Sequence, residues 1–116
     1  MDEREIYRLH ADFCKFMSNS KRIEILFLLD KKELCVEELA EKMEVNIPNV
    51  SQHLAIMRER GVVESRRDGT KIYYKLTNPK ILQACLMMRD ILVERIKQNA
   101  NIIKDISIEK DDFNEV

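Results

Sequence analysis

The stretch from Glu44 to Gly61, EVNIPNVSQHLAIMRERG, constrains this chain more than any other. Asn46 can accept a hydrogen bond from the free N–H groups at a helix start, and Pro48 is tolerated in the first turn, where the backbone N–H has no partner anyway. Val50, Leu54 and Met57 follow at i, i+4 and i+7, so they share one face. Gly61 suits the left-handed residue just past a helix end. The other positions of the first two turns carry Pro48, Asn49, Ser51, Gln52 and His53. A helix with donors and acceptors gathered at its N-terminal end fits the DNA major groove and can read base edges there. An ordinary amphipathic helix with a solvated face has the same pattern, so the flanking segments decide.

Upstream, Ile6, Leu9, Phe13, Phe16 and Met17 recur at three- and four-residue spacing and predict a helix over residues 2–17. Ser18-Asn19-Ser20 breaks it, with Asn19 or Ser18 as the next cap. A second helix over 20–31, apolar on most sides through Ile23, Ile25, Leu26, Phe27, Leu28 and Leu29, reads as the central core helix. Glu33 to Cys35 allows a brief strand. Val36 to Met43 is a third helix with Leu39, Ala40 and Met43 inward, and Cys35-Val36-Glu37-Glu38 has the shape of a capping box with Cys as the cap. The tight turn Glu44-Val45-Asn46 then makes this pair of helices a helix-turn-helix unit.

Downstream the period changes from 3.6 to 2. Val62–Arg67 and Lys71–Thr77 are strand-like, with Ile72, Tyr74 and Leu76 on one face, and Asp68-Gly69 joins them as a hairpin. This hairpin is a wing carrying Arg66, Arg67 and Lys71 near its tip. Asn78-Pro79 opens a last helix running to about residue 103, and its Ile, Leu, Met and Val residues are too many for a lone surface helix. The acidic stretch 107–116 reads as a frayed tail. The domain is expected to span 1–106.

The net charge is only −1, but its distribution matters more. Pro48–Lys75 holds six basic against three acidic residues, while residues 1–47 hold eight against eleven. The basic excess lies on the segment that would face phosphates. At 116 residues the chain is one domain whose small core would gain from dimerisation. No apolar run reaches membrane-spanning length and the N-terminus is too charged for a signal peptide, so a cytoplasmic protein with no membrane partner is expected. Three widely spaced cysteines, an odd number, argue against a disulfide framework.

Taken in order, Asn19-Ser20-Lys21-Arg22-Ile23 to Leu29, Glu33 to Ala40, Val50-Ser51-Gln52-His53-Leu54, Gly61-Val62-Val63 and Arg67 to Leu76 resemble the ArsR/SmtB family of winged helix-turn-helix repressors over about residues 9–100. The resemblance implies a homodimer joined through the first and last helices, and a repressor released from its operator by a small effector. Some members carry a metal or metalloid site at the start of the third helix with a Cys-Val-Cys core. Here Cys35 keeps the first thiol, Glu37 stands at the second, and Glu38 matches an acidic position used as a ligand in some members. The last helix contains no His, so the family's other metal site is missing.

Cys35 is the most interesting thiol, because amide dipoles at a helix N-terminus favour the thiolate. It could serve as a soft-metal ligand or redox group, or simply close the helix start as a small apolar residue. His10 and Cys14 share one helical face and could join Cys35 and Glu38, from the same or the other subunit, in a tetrahedral zinc-like site, or Cys14 could be core and His10 solvated. A thiophilic metal or metalloid at the cysteines is the candidate cofactor. A lone thiolate with one carboxylate makes a poor zinc site, so tight zinc binding is not expected. Cys85 reads as a small hydrophobe at a dimer seam or as one half of a redox pair. No nucleophile, glycine-rich phosphate loop or carboxylate pair accompanies His53, so the reading is not an enzyme.

The sequence therefore predicts a mainly α fold with a small β-hairpin, a winged helix-turn-helix of about five helices plus a two-stranded wing, dimeric. Asn46, Pro48, Asn49, Ser51, Gln52 and His53 would meet the double-stranded operator from the helix, and Arg66, Arg67 and Lys71 from the wing. A winged-helix protein-interaction module is the alternative, against which the basic wing argues. A regulator with no metal or thiol sensing is the other.

Overall fold

A computed structural model describes residues 1–106 of the chain. In order, the elements are helices α1 (Glu3–Phe16) and α2 (Ser20–Leu28), the short strand β1 (Leu34–Cys35), helices α3 (Val36–Met43) and α4 (Ile47–Glu59), strands β2 (Val63–Asp68) and β3 (Lys71–Leu76), and helix α5 (Lys80–Ile106). The chain divides into two units, Met1–Leu82 and the segment from Gln83 onward, whose described part is the remainder of α5. The tail expected over 107–116 lies outside the described residues.

Side chains that satisfy the free amides set the helix starts. Asn19 Oδ1 accepts from the N–H groups of Lys21 (3.0 Å) and Arg22 (3.3 Å), and Asn46 Oδ1 accepts from Asn49 N–H at 2.8 Å. Asp2 and Glu5 form a full capping box at the head of α1, each side chain accepting from the other's backbone N–H. The ends are less legible. Helix α2 stops at Leu28, three residues before the expected end, and Lys31 reverses the chain at φ +58°. Between α3 and α4, Glu44 takes φ +59°, and Val45 N–H donates to Ala40 C=O at 3.1 Å. A non-glycine residue in that region costs roughly 1–2 kcal/mol. That cost is offset by a three-residue turn short enough to pack α3 directly on α4.

The core of the first unit lies among α2, α3, α4 and one face of the sheet. Ile25, Leu26, Leu29, Leu39, Val50, Leu54, Met57 and Val63 are shut off from solvent. The inward stripe of α4 is the one its i, i+4, i+7 spacing predicts. The wing is larger than two strands: the brief strand foreseen at Cys35 pairs antiparallel with β3, Leu34 opposite Tyr74 and Cys35 opposite Tyr73, giving the order β1-β3-β2. The hairpin loop is Gly69-Thr70, one residue later than expected, because Asp68 pairs with Lys71 as the last rung. Gly69 at φ +66° supplies the positive φ that such a two-residue turn requires.

Helix α5 extends to Ile106, beyond the expected residue 103, and Asn78 Oδ1 accepts from Lys80 N–H at 3.0 Å at its start. Met87, Met88, Ile91, Leu92 and Ile96 are all exposed along it. Among the described residues no helix is long and apolar enough to cross a membrane.

Candidate nucleic-acid interface

Burial of Val50, Leu54 and Met57 fixes which side of α4 faces out. Pro48, Gln52 and Ala55 are exposed on that side, with Ser51 and His53 half-buried on its flanks. Gln52 offers an amide that can donate and accept at once, the geometry that pairs with adenine N6 and N7. Asn46 is exposed and has its carbonyl engaged in the cap, so only its NH2 group is left for another partner. Asn49 is half-buried, and its Oδ1 is shielded from solvent without a hydrogen-bond partner, so that acceptor is withdrawn from the outward face.

His53 is braced from behind. Arg22, on α2, donates from Nε to His53 Nδ1 at 3.3 Å and from Nη1 to the Phe16 carbonyl at 2.8 Å. Its guanidinium stacks 5.0 Å from the Phe16 ring centroid, and Arg60, at the end of α4, stacks at 5.0 Å as well. Arg60 in turn donates to Asp12 at 2.7 Å. Burial, then the positive charges of Arg22 and Lys21, holds the imidazole below its ordinary pKa. The folded state thus resists a proton that the unfolded chain accepts. The resulting stability is present above about pH 6.5, the unfolded value, and is lost as pH falls below it. Urea midpoints should therefore drop on acidification through that range, and His53→Gln should flatten the drop. An unchanged profile in His53→Gln would remove His53 from the account.

The wing separates two arginines that the sequence treats alike. Arg66 opposes Tyr73 and Arg67 opposes Ile72, and successive strand residues face opposite sides. Arg66 is tied down: Nε donates to both Glu33 oxygens at 3.0 and 3.1 Å, Nη2 lies 2.9 Å from Glu33 Oε1, and the guanidinium stacks 4.8 Å from the Tyr73 ring centroid. The Arg66 hydrogen bond holds the Glu33 carboxyl below its usual range. Arg67 is exposed and makes no ion pair or hydrogen bond among the described residues, and Lys71 is exposed at the hairpin tip. Sequence reasoning gave these roles to none of Arg22, Arg60, Asp12 and Glu33, because each acts through a partner that is adjacent in space but distant in sequence: Arg22 and His53 are 31 residues apart, Arg66 and Glu33 are 33, and Arg60 and Asp12 are 48.

At Cys35 burial works against the thiolate expected from the helix start. Its residue is 1% exposed, and burial pushes the thiol up, with Glu38 and Glu37 adding to the rise. The Glu38 amide at the α3 N-terminus pulls the other way and loses. Cys35 N–H donates to Glu38 Oε1 at 2.9 Å, so the Glu38 half of the expected capping box is in place. His10 and Cys14 are exposed on α1. Among the described residues no three His, Cys, Asp or Glu side chains gather as a metal site, so His10, Cys14, Cys35 and Glu38 do not meet within one protomer. Cys85 is half-buried, which pushes its thiol up too.

A winged helix-turn-helix with this outward face has close relatives in sequence and in structure. Residues 19–65 match the model of the bacterial regulatory proteins of the arsR family. The uncharacterised HTH-type transcriptional regulator Rv0081 of Mycobacterium tuberculosis is 31% identical over 107 residues, 91% of this chain and 94% of its own. Its crystal structure superposes with a TM-score of 0.73 at 32% identity, covering 82% of this chain and 96% of that one. The biofilm growth-associated repressor of Xylella fastidiosa is 33% identical over 88 residues, 76% of this chain and 77% of its own. The homodimeric winged helix-turn-helix DNA-binding domain of Mb0332 from Mycobacterium bovis has a TM-score of 0.70 at 27% identity, covering 84% and 93%. With the Asn19 cap, both helices of the helix-turn-helix and the start of β2 inside the matched span, and nearly the whole chain aligned to Rv0081, this protein belongs to the arsR family of bacterial regulatory proteins.

Proposed function

We propose that this chain is a homodimeric repressor that holds a double-stranded operator through α4 and the wing and leaves it when an effector acts. The observation that carries the reading is the outward face of α4: Gln52 exposed, Ser51 and His53 beside it, and the opposite side wholly buried, next to a wing with Arg67 and Lys71 exposed. Duplex selected from a random pool by the protein itself is the test. Gln52→Ala should weaken the selected duplex by about 1–3 kcal/mol and random DNA little, since a base contact goes. Arg67→Ala should weaken both alike and reduce the salt slope by about one. Arg66→Ala should leave that slope nearly unchanged, because Glu33 already neutralises it. Failure to enrich any duplex would favour the protein-interaction alternative.

For the trigger, Cys14 is exposed in the single chain on the same face of α1 as Tyr7, so in a dimer joined there it is the thiol that a thiophilic metalloid or an oxidant would engage together with Cys14 of a second copy. Cys35 is the reason to hold a second reading, a regulator with no thiol sensing, since the residue is enclosed and burial pushes its thiol up. Arsenite and a disulfide-forming oxidant should release wild-type protein from the selected duplex, Zn²⁺ should not, and Cys14→Ser should block release while Cys35→Ser retains it. Release by Zn²⁺ that survives both substitutions would refute thiol sensing. No release by any of the three reagents would establish the second reading.

A further inference from the structure

The Arg22 contacts specify the chemical state in which His53 reaches the helix surface. A guanidinium carries only donors, so the atom it donates to must be an acceptor. Arg22 Nε–H points at His53 Nδ1 at 3.3 Å, which requires an unprotonated Nδ1 and places the ring proton on Nε2. Nε2 makes no hydrogen bond among the described residues and is not an enclosed, unpaired atom, so its N–H is open to solvent. Arg22 cannot drift, because Nη1 is held by the Phe16 carbonyl at 2.8 Å and the guanidinium lies against the Phe16 ring. His53 follows Gln52 by one residue, which turns it about 100° around α4, onto the flank that meets the groove wall when Gln52 meets its floor.

We infer that Arg22 is a positioning residue for DNA binding: it fixes His53 as the Nε2–H tautomer, so that α4 meets a backbone phosphate oxygen through a neutral donor. This rests on the operator-binding reading and adds the state of the contact. A second proton on Nδ1 would remove Arg22's acceptor and set a cation against Arg22 and Lys21 from α2. Arg60 nearby is paired with Asp12 of α1 and adds no acceptor to the ring. A neutral donor displaces no condensed counterion, so His53 should add affinity without adding to the salt slope, unlike Arg67.

The test begins without DNA. In long-range 1H–15N spectra of the labelled full chain at neutral pH, with the second histidine assigned through His10→Gln, His53 should be protonated at Nε2 alone. Arg22→Gln and Arg22→Lys should both return it to a mixture of tautomers. On duplex, Arg22→Gln should lose about two- to tenfold in affinity on selected and random sequences alike, the value of one oriented hydrogen bond, with the salt slope unchanged. Arg22→Lys should fail to restore it. A His53 protonated at Nδ1 in the wild type overturns the inference, and decides it even where the Arg22 variants do not fold. Restoration by lysine with a slope lower by about one in Arg22→Gln also overturns it, since Arg22 would then touch phosphate itself. A loss confined to the selected duplex overturns the phosphate contact. A correct tautomer in a wild type that binds no duplex rejects the operator-binding reading and leaves the fixed tautomer standing.

Discussion

Leu54→Ala should destabilise the protein by about 2–5 kcal/mol, the range for truncating an enclosed aliphatic side chain. Leu54 has no exposed surface and sits mid-helix on α4, between Val50 and Met57, where α4 packs on α2, α3 and β2. Its removal leaves a cavity between helices whose relative positions are pinned elsewhere, by the Asn46 cap, the short Glu44 turn and the Phe16–Arg22–Arg60 stack. Those restraints limit collapse, which favours the upper half of the range. Domains of this size have about 5–15 kcal/mol of stability in total, so the variant should be near the edge of folding. Ile56→Ala on the same helix, where the side chain is already partly in water, should cost far less. Urea denaturation of both variants checks this. A Leu54→Ala penalty no larger than that of Ile56→Ala would mean that α4 is not seated as described.

What could be read from the sequence divides along the range of the forces involved. The α4 stripe, the Asn19 and Asn46 caps and the hairpin are local: their signals lie within a few residues, and the structure reproduces them. The charge state of Cys35 is not local. The α3 N-terminus favours thiolate from within the same turn, but β1 pairs with β3, Cys35 opposite Tyr73, and the folded chain buries the residue. That burial, which depends on the whole fold, works against the helix start and pushes the thiol up. Arg66 fails for the same reason, since Glu33, 33 residues earlier, neutralises a charge that composition counts as free. Asp12 and Arg60 are 48 residues apart and belong to no motif. Glu44 and Lys31 at positive φ escaped notice because neither is Gly or Asn, the residues that announce such turns.

Leu92→Lys combined with Ile96→Lys should convert the protein to a monomer and lower its operator affinity by about a hundredfold or more. Met88, Ile91, Leu92 and Ile96 recur along α5 at three- and four-residue intervals, and every one is exposed in the single chain, Ile96 by 65%. Independently, α1 leaves Ile6, Tyr7 and Leu9 exposed on its own surface. Stripes of this kind on two separate helices are what a partner chain covers, and each large side chain fully buried there contributes about 1.5–3 kcal/mol. Two lysines within such a seam would be enclosed without counter-charges, a cost of several kcal/mol that the remaining apolar contacts do not offset. The DNA effect follows from geometry. A two-fold dimer presents two α4 helices to half-sites about one helical turn apart, and binding the second half-site is intramolecular once the first is held, a gain of about 10²–10⁴. The double variant keeps α4 and the wing intact, so its residual binding should match that of wild type on a single half-site. Sedimentation at micromolar concentration reads the assembly and anisotropy on full and half operators reads the binding. A double variant that still sediments as a dimer would place the interface elsewhere, and a monomer with undiminished affinity for the full operator would show that dimerisation through α5 is not what joins the two half-sites.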